Sequence, residues 1–75
     1  MTEQSGKVVA YWDFYNSQTK VILEKGCMID GNPEPVVGEE VAGIGDWEQS
    51  EVVEFQFKAV EGNIPQYDVY VKQLV

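Results

Sequence analysis

The run Glu51-Val52-Val53-Glu54-Phe55-Gln56-Phe57-Lys58-Ala59-Val60 decides the fold class. Val53, Phe55, Phe57 and Ala59 alternate with Val52, Glu54, Gln56 and Lys58, which is the period of two expected of a half-buried strand. The rival is a helix capped by Asp46 or Ser50 and stopped by Gly62. On a helix Phe55 and Phe57 would project about 200° apart, so one apolar stripe would not hold both. The strand reading prevails.

The flanking segments read the same way. Lys7 to Phe14 (KVVAYWDF) is β-branched and aromatic, as strands prefer. Val8, Ala10, Trp12 and Phe14 share one face; Val9, Tyr11, Asp13 and Tyr15 share the other. Asn16 to Thr19 is a turn by composition. Lys20 to Glu24 (KVILE) opens a second strand, and the short connection makes the pair an antiparallel hairpin. Gly26 interrupts this run and reads as a bulge or bend. Glu61 to Gln66 is another hairpin connection, and Tyr67 to Val75 is the last strand.

The middle is irregular. Asp30 to Val37 (DGNPEPVV) combines a turn signal with Pro33 and Pro35, which lack donors and force extended predecessors. Gly38 to Gly45 permits at most a short strand around Glu40 to Ala42. Asp46 to Ser50 reads as a polar connection with one large aromatic in it. The expectation is an all-β domain of four to five strands, a small antiparallel rolled sheet or barrel of SH3-like or OB-like build. Residues 1–6 are expected to be a disordered tail, and residues 7–75 one small β domain.

Composition closes off several chemistries. The 75 residues include five Lys, no Arg and no His. There is no imidazole base, no Ser–His–Asp triad and no bidentate fork for phosphate. The single Cys27 forms neither an internal disulfide nor a thiolate zinc site, and in its apolar run it reads as inert. No enzyme, metal or cofactor is expected. A domain of this size has a thin stability margin. Aromatic burial, a partner surface or a second copy in a homodimer are the available compensations. No stretch approaches the roughly 20 apolar residues of a membrane span. A polar N-terminus and one unpaired thiol point to the cytoplasm.

Charge is unevenly placed. The formal net charge is −8, and residues 1–25 and 55–75 are each balanced. The whole excess lies in residues 30–54: Asp30, Glu34, Glu39, Glu40, Asp46, Glu48, Glu51 and Glu54, with no basic residue between Lys25 and Lys58. Such a segment either keeps the protein soluble and its edges unpaired, or meets a cationic partner. Trp47, flanked by Asp46 and Glu48, is either a cap on the open end of the barrel or an interface anchor.

Other motifs are weaker. Glu39-Glu40 and the Asp46/Glu48 pair have the composition of an acid–base couple, which arises by chance in so acidic a chain. Asp30-Gly31-Asn32-Pro33-Glu34 has oxygens at alternate positions but departs from a calcium loop, and a turn is the better reading. The glycines from Gly38 to Gly45 are ringed by acids that would repel phosphate. Tyr11, Tyr15 and Tyr70 are the aromatics that alternation leaves outward, a platform for a sugar or small ligand.

The expectation is therefore a non-enzymatic, acidic protein-interaction module, an accessory or regulatory subunit. It would bind a basic protein surface through Glu34, Glu39, Glu40, Asp46, Trp47 and Glu48. In its most specific form its carboxylates replace phosphates and occupy a nucleic-acid groove on the target. Direct nucleic-acid or membrane binding is not expected. The alternative is a small-ligand or carbohydrate-binding domain using Tyr11, Tyr15 and Tyr70.

Overall fold

The computed structural model describes residues 8–29 and 33–74, with the side chains of residues 27–29 left aside. The expected tail, the Asp30-Gly31 turn and the Cys27 thiol lie outside what is described. Five strands form: β1 (Val8–Asn16), β2 (Ile22–Ile29), β3 (Glu40–Ile44), β4 (Trp47–Glu61) and β5 (Ile64–Gln73). They make one curled sheet in the order β2-β1-β5-β4-β3, a half-barrel measuring 42 × 26 × 18 Å. The all-β rolled sheet of SH3- or OB-like size is thus the fold.

The hairpin β1–β2 is antiparallel, as are β3–β4 and β4–β5. The pair β1–β5 is parallel, running from Tyr11↔Gln66 to Asn16↔Val71. This departs from the purely antiparallel expectation. The cause is topological: the connection after β2 leads to the far edge of the sheet. The meander β3–β4–β5 then returns to β1 with its last strand pointing the same way.

The concave face holds the core. Ala10, Trp12 and Phe14 of β1 meet Val69 and Val71 of β5, Val52 of β4 and Ile44 of β3, all buried. Each large apolar side chain so placed contributes about 1.5–3 kcal/mol. Trp12 and Phe14 meet edge to face, with ring centroids 6.0 Å apart. Two links draw the sheet's edges together. The Trp12 indole N–H donates to the Pro33 carbonyl at 2.9 Å, which fixes the post-β2 connection against the core, and Pro35 is buried there. The Gly45 N–H donates to the Glu24 carboxylate at 2.8 Å, so the β3–β4 turn lies against β2. Gly45 suits that approach, with φ +58° and the Leu23 carbonyl 3.5 Å from where a Cβ would stand.

Several local expectations change. Gly26 is not a bulge; it sits in register opposite Trp12, and the shifts on this hairpin fall at Val8/Ala10 and Phe14/Tyr15. Trp47 to Ser50 is strand rather than connection, because β3 runs on to Ile44 and pairs with it. In β4 the register shifts at Val52/Glu54 and Phe57/Ala59, leaving Val53 and Lys58 as inserted residues. The insertion at Val53 moves Val52 to the core side, where it is fully buried against its cross-strand neighbour Val71.

Candidate functional site

The acidic segment becomes one edge of the molecule. β3 is the outermost strand, and Glu39, Glu40, Asp46 and Glu48 are all exposed on it, on its turn or on the adjoining start of β4. Glu34 is exposed in the connection that precedes β3. The hairpin forms because Gly43 and Gly45 accept positive φ and Ser50 locks the pair: its buried hydroxyl donates to the Val41 carbonyl at 3.0 Å. The ladder extends one step further, with the Val52 N–H donating to the Glu39 carbonyl and the Gly38 N–H to the Val52 carbonyl, both at 2.8 Å.

Alternation divides the acids between the two sides of this edge. Glu40 lies opposite Glu51 and accepts a hydrogen bond from the Gln49 amide at 3.3 Å, so these three share the outer side. Glu48 alternates with them. The carboxylates therefore wrap an edge instead of sharing one face. Lys72 reaches Glu51 at 3.7 Å. The side chains of Glu39, Asp46, Glu48 and Glu54 have no ion pair among the described residues. Trp47 packs half-buried against the core and, with Asn16, Ser17, Gln18, Lys72 and Gln73, lines a surface depression.

The outer face of the sheet carries different chemistry. Lys58 stands between Asp13 at 3.4 Å and Asp68 at 3.9 Å. The hydrogen bond to Asp13, reinforced by the Asp68 charge, holds its pKa above the usual lysine value. Asp68 Oδ1 is buried and accepts no hydrogen bond, so the Lys58 ammonium is its compensation. The three tyrosines read as outward-facing come to this face. Tyr15 and Tyr70 stack at 5.5 Å, and the Lys20 ammonium sits 4.6 Å above the Tyr70 ring. Burial first, and the Asp68 charge second, push the Tyr15 pKa up. Tyr11 is exposed and lines a depression of about 430 Å³ with Asp13, Lys25, Gly26, Lys58, Glu61 and Gln66.

Tyr11 is thus separate in role from the Tyr15–Tyr70 stack, whose rings largely satisfy each other. Sequence reasoning missed the charged lining around Tyr11. Its signal was Asp13, an acid on an otherwise apolar and aromatic strand, and the pairing that brings Lys58 to it was not readable. Among the described residues no group of three or more acids or thiols is placed to hold a metal ion. Among the same residues no helix is long and apolar enough to cross a membrane. Comparisons with protein families, with curated proteins and with solved structures find no match in any of the three.

Proposed function

We propose that this domain is a non-enzymatic interaction module that docks its acidic β3 edge on a basic surface of a partner protein. The observation that carries the reading is the separation of charge. Glu39, Asp46 and Glu48 stand exposed on one edge with no ion pair among the described residues, while Lys20, Lys58 and Lys72 are engaged on the outer face. Carboxylates held this way keep their field for a cationic partner and steer its approach. The specific form is a regulatory subunit whose acids replace phosphates in a nucleic-acid groove; the extended edge supports it by spacing carboxylates along a strand.

The test uses a lysine-rich peptide as a probe, followed by titration calorimetry at rising salt. Affinity should fall with salt, and Glu39→Lys/Glu40→Lys should weaken it about tenfold. Equal weakening by Glu54→Lys/Glu61→Lys, which changes the charge equally elsewhere, would remove the case for the β3 edge.

The depression beside Tyr11 supports a second reading, a site for a small polar ligand such as a sugar. It offers an aromatic face, two carboxylates, two ammonium groups and an amide in one place. Here Tyr11→Ala would abolish ligand-induced NMR shifts, and Glu39→Lys/Glu40→Lys would leave them unchanged.

A further inference from the structure

We infer that the depression beside Tyr11 takes a short zwitterion, a molecule with a carboxylate at one end, an ammonium at the other and methylenes between. The inference rests on the reading of this depression as a ligand site and names the ligand; it is independent of the acidic β3 edge. Four neighbouring strands build the depression, in the order β2-β1-β5-β4, and supply in turn Lys25, Tyr11, Gln66 and Glu61. A cation thus stands on one rim and a carboxylate on the other, with a ring and an amide between them. Tyr11 and Gln66 lie directly opposite each other across the parallel pair, so they form adjoining parts of the floor.

The charges on the two rims are the ones left over. Lys25 is the cross-strand neighbour of Asp13, which would be its natural counter-ion. Asp13 is already held by Lys58 at 3.4 Å, and Lys58 also stands 3.9 Å from Asp68. Lys25 therefore has no ion pair among the described residues. Glu61 has none among them either. The Gln66 amide donates to its Oε1 at 2.7 Å, which fixes the carboxylate beside the floor and leaves its second oxygen for a ligand. The Tyr11 ring is 38% exposed and has no aromatic or cationic partner among the described residues. Tyr15 and Tyr70, by contrast, cover each other.

This pattern selects among ligands. A simple anion would meet Lys25 but also Glu61 and Asp13, in a chain whose net charge is −8. A simple cation would meet Glu61 but also Lys25 and Lys58. A neutral sugar would take water from both rims and return no charge. Opposite charges at the two ends answer both rims, and each rim repels the wrong end, so the orientation is fixed as well. The apolar middle lies on the Tyr11 ring, which supplies contact area without competing for either charge. The axes of β2 and β4 are at most about 14 Å apart, three strand spacings. The reach of Lys25 and Glu61 into that span leaves the length of an ω-amino acid such as ε-aminocaproate.

Amide NMR titrations with ε-aminocaproate, caproate, hexylammonium and glucose test this. ε-Aminocaproate should shift the resonances of Tyr11, Lys25, Gln66 and Glu61, and should bind about fivefold more tightly than either singly charged analogue. Lys25→Gln should erase its preference over hexylammonium, and Glu61→Gln its preference over caproate. Both positions are exposed, so resonances outside the depression should keep their places in the variants. Caproate or hexylammonium binding as tightly as ε-aminocaproate overturns the proposal. So does a preference that survives both substitutions. Shifts from glucose alone overturn it too, and leave a site for neutral molecules standing. If none of the four probes shifts Tyr11, the proposal falls together with the reading of the depression as a ligand site.

Discussion

Trp12 is the residue on which the closure of the half-barrel turns. It is 1% exposed, packs on Phe14, and its indole N–H is committed to the Pro33 carbonyl. Trp12→Phe removes volume from the core and leaves that carbonyl without its donor. The expected loss is about 2–3 kcal/mol, read as a lower urea midpoint. Trp47→Phe should cost less, since Trp47 is only half-buried. The protein retaining only Trp12 should emit at shorter wavelength and resist acrylamide quenching. Lys58 and Tyr15 set the alkaline limit. The folded state favours the Lys58 cation and disfavours the Tyr15 phenolate, so both pKa values rise above their ordinary values of 10.5 and 10.0. Groups raised in this way stabilise fully below their unfolded pKa and lose that contribution as pH climbs through the folded one. Stability should thus be insensitive to these groups near neutrality and fall above about pH 10. Lys58→Met should flatten that fall in urea titrations, and an unchanged slope would assign it elsewhere.

At the scale of elements, alternation in Glu51–Val60 was enough to identify a strand, and the aromatic run Lys7–Phe14 another. Their register was not readable. The insertions at Val53 and Lys58 arise from how β4 twists against β5, and no local residue type announces them. β3 was underread because its glycines look like breakers, yet Gly43 and Gly45 are what let a five-residue strand turn tightly back. The β4–β5 turn gives a direct test of turn chemistry. Gly62 has φ +58° and Asn63 φ +69°, the two positive values of a type I′ turn. That turn favours Asn followed by Gly, the reverse of the order here. Exchanging them, Gly62→Asn with Asn63→Gly, should stabilise the protein by about 0.5 kcal/mol, seen as a rise in Tm. A fall would mean that the tip is held by contacts beyond its own backbone preference.

For the whole molecule, the segregation of charge was legible because it is a property of sequence order: residues 30–54 hold the entire net excess. That these acids occupy an edge followed only from the topology, which carries the chain from β2 to the far side of the sheet. The arrangement costs stability. Glu40 stands directly across from Glu51, a like-charge pair that is unfavourable on a sheet, eased by Gln49 and Lys72 among the described residues. Moderate salt should therefore raise Tm, because it screens repulsion along the edge while the few exposed ion pairs contribute little to lose. Glu40→Gln should do part of the same work at low salt, adding about 0.5 kcal/mol and reducing the response of Tm to salt. In the calorimetric assay the same substitution should weaken capture of the lysine-rich peptide. A residue whose removal strengthens the fold and weakens the contact is placed for binding. If Glu40→Gln instead lowers Tm, the Gln49–Glu40 hydrogen bond outweighs the repulsion, and this carboxylate belongs to the hairpin's own stability.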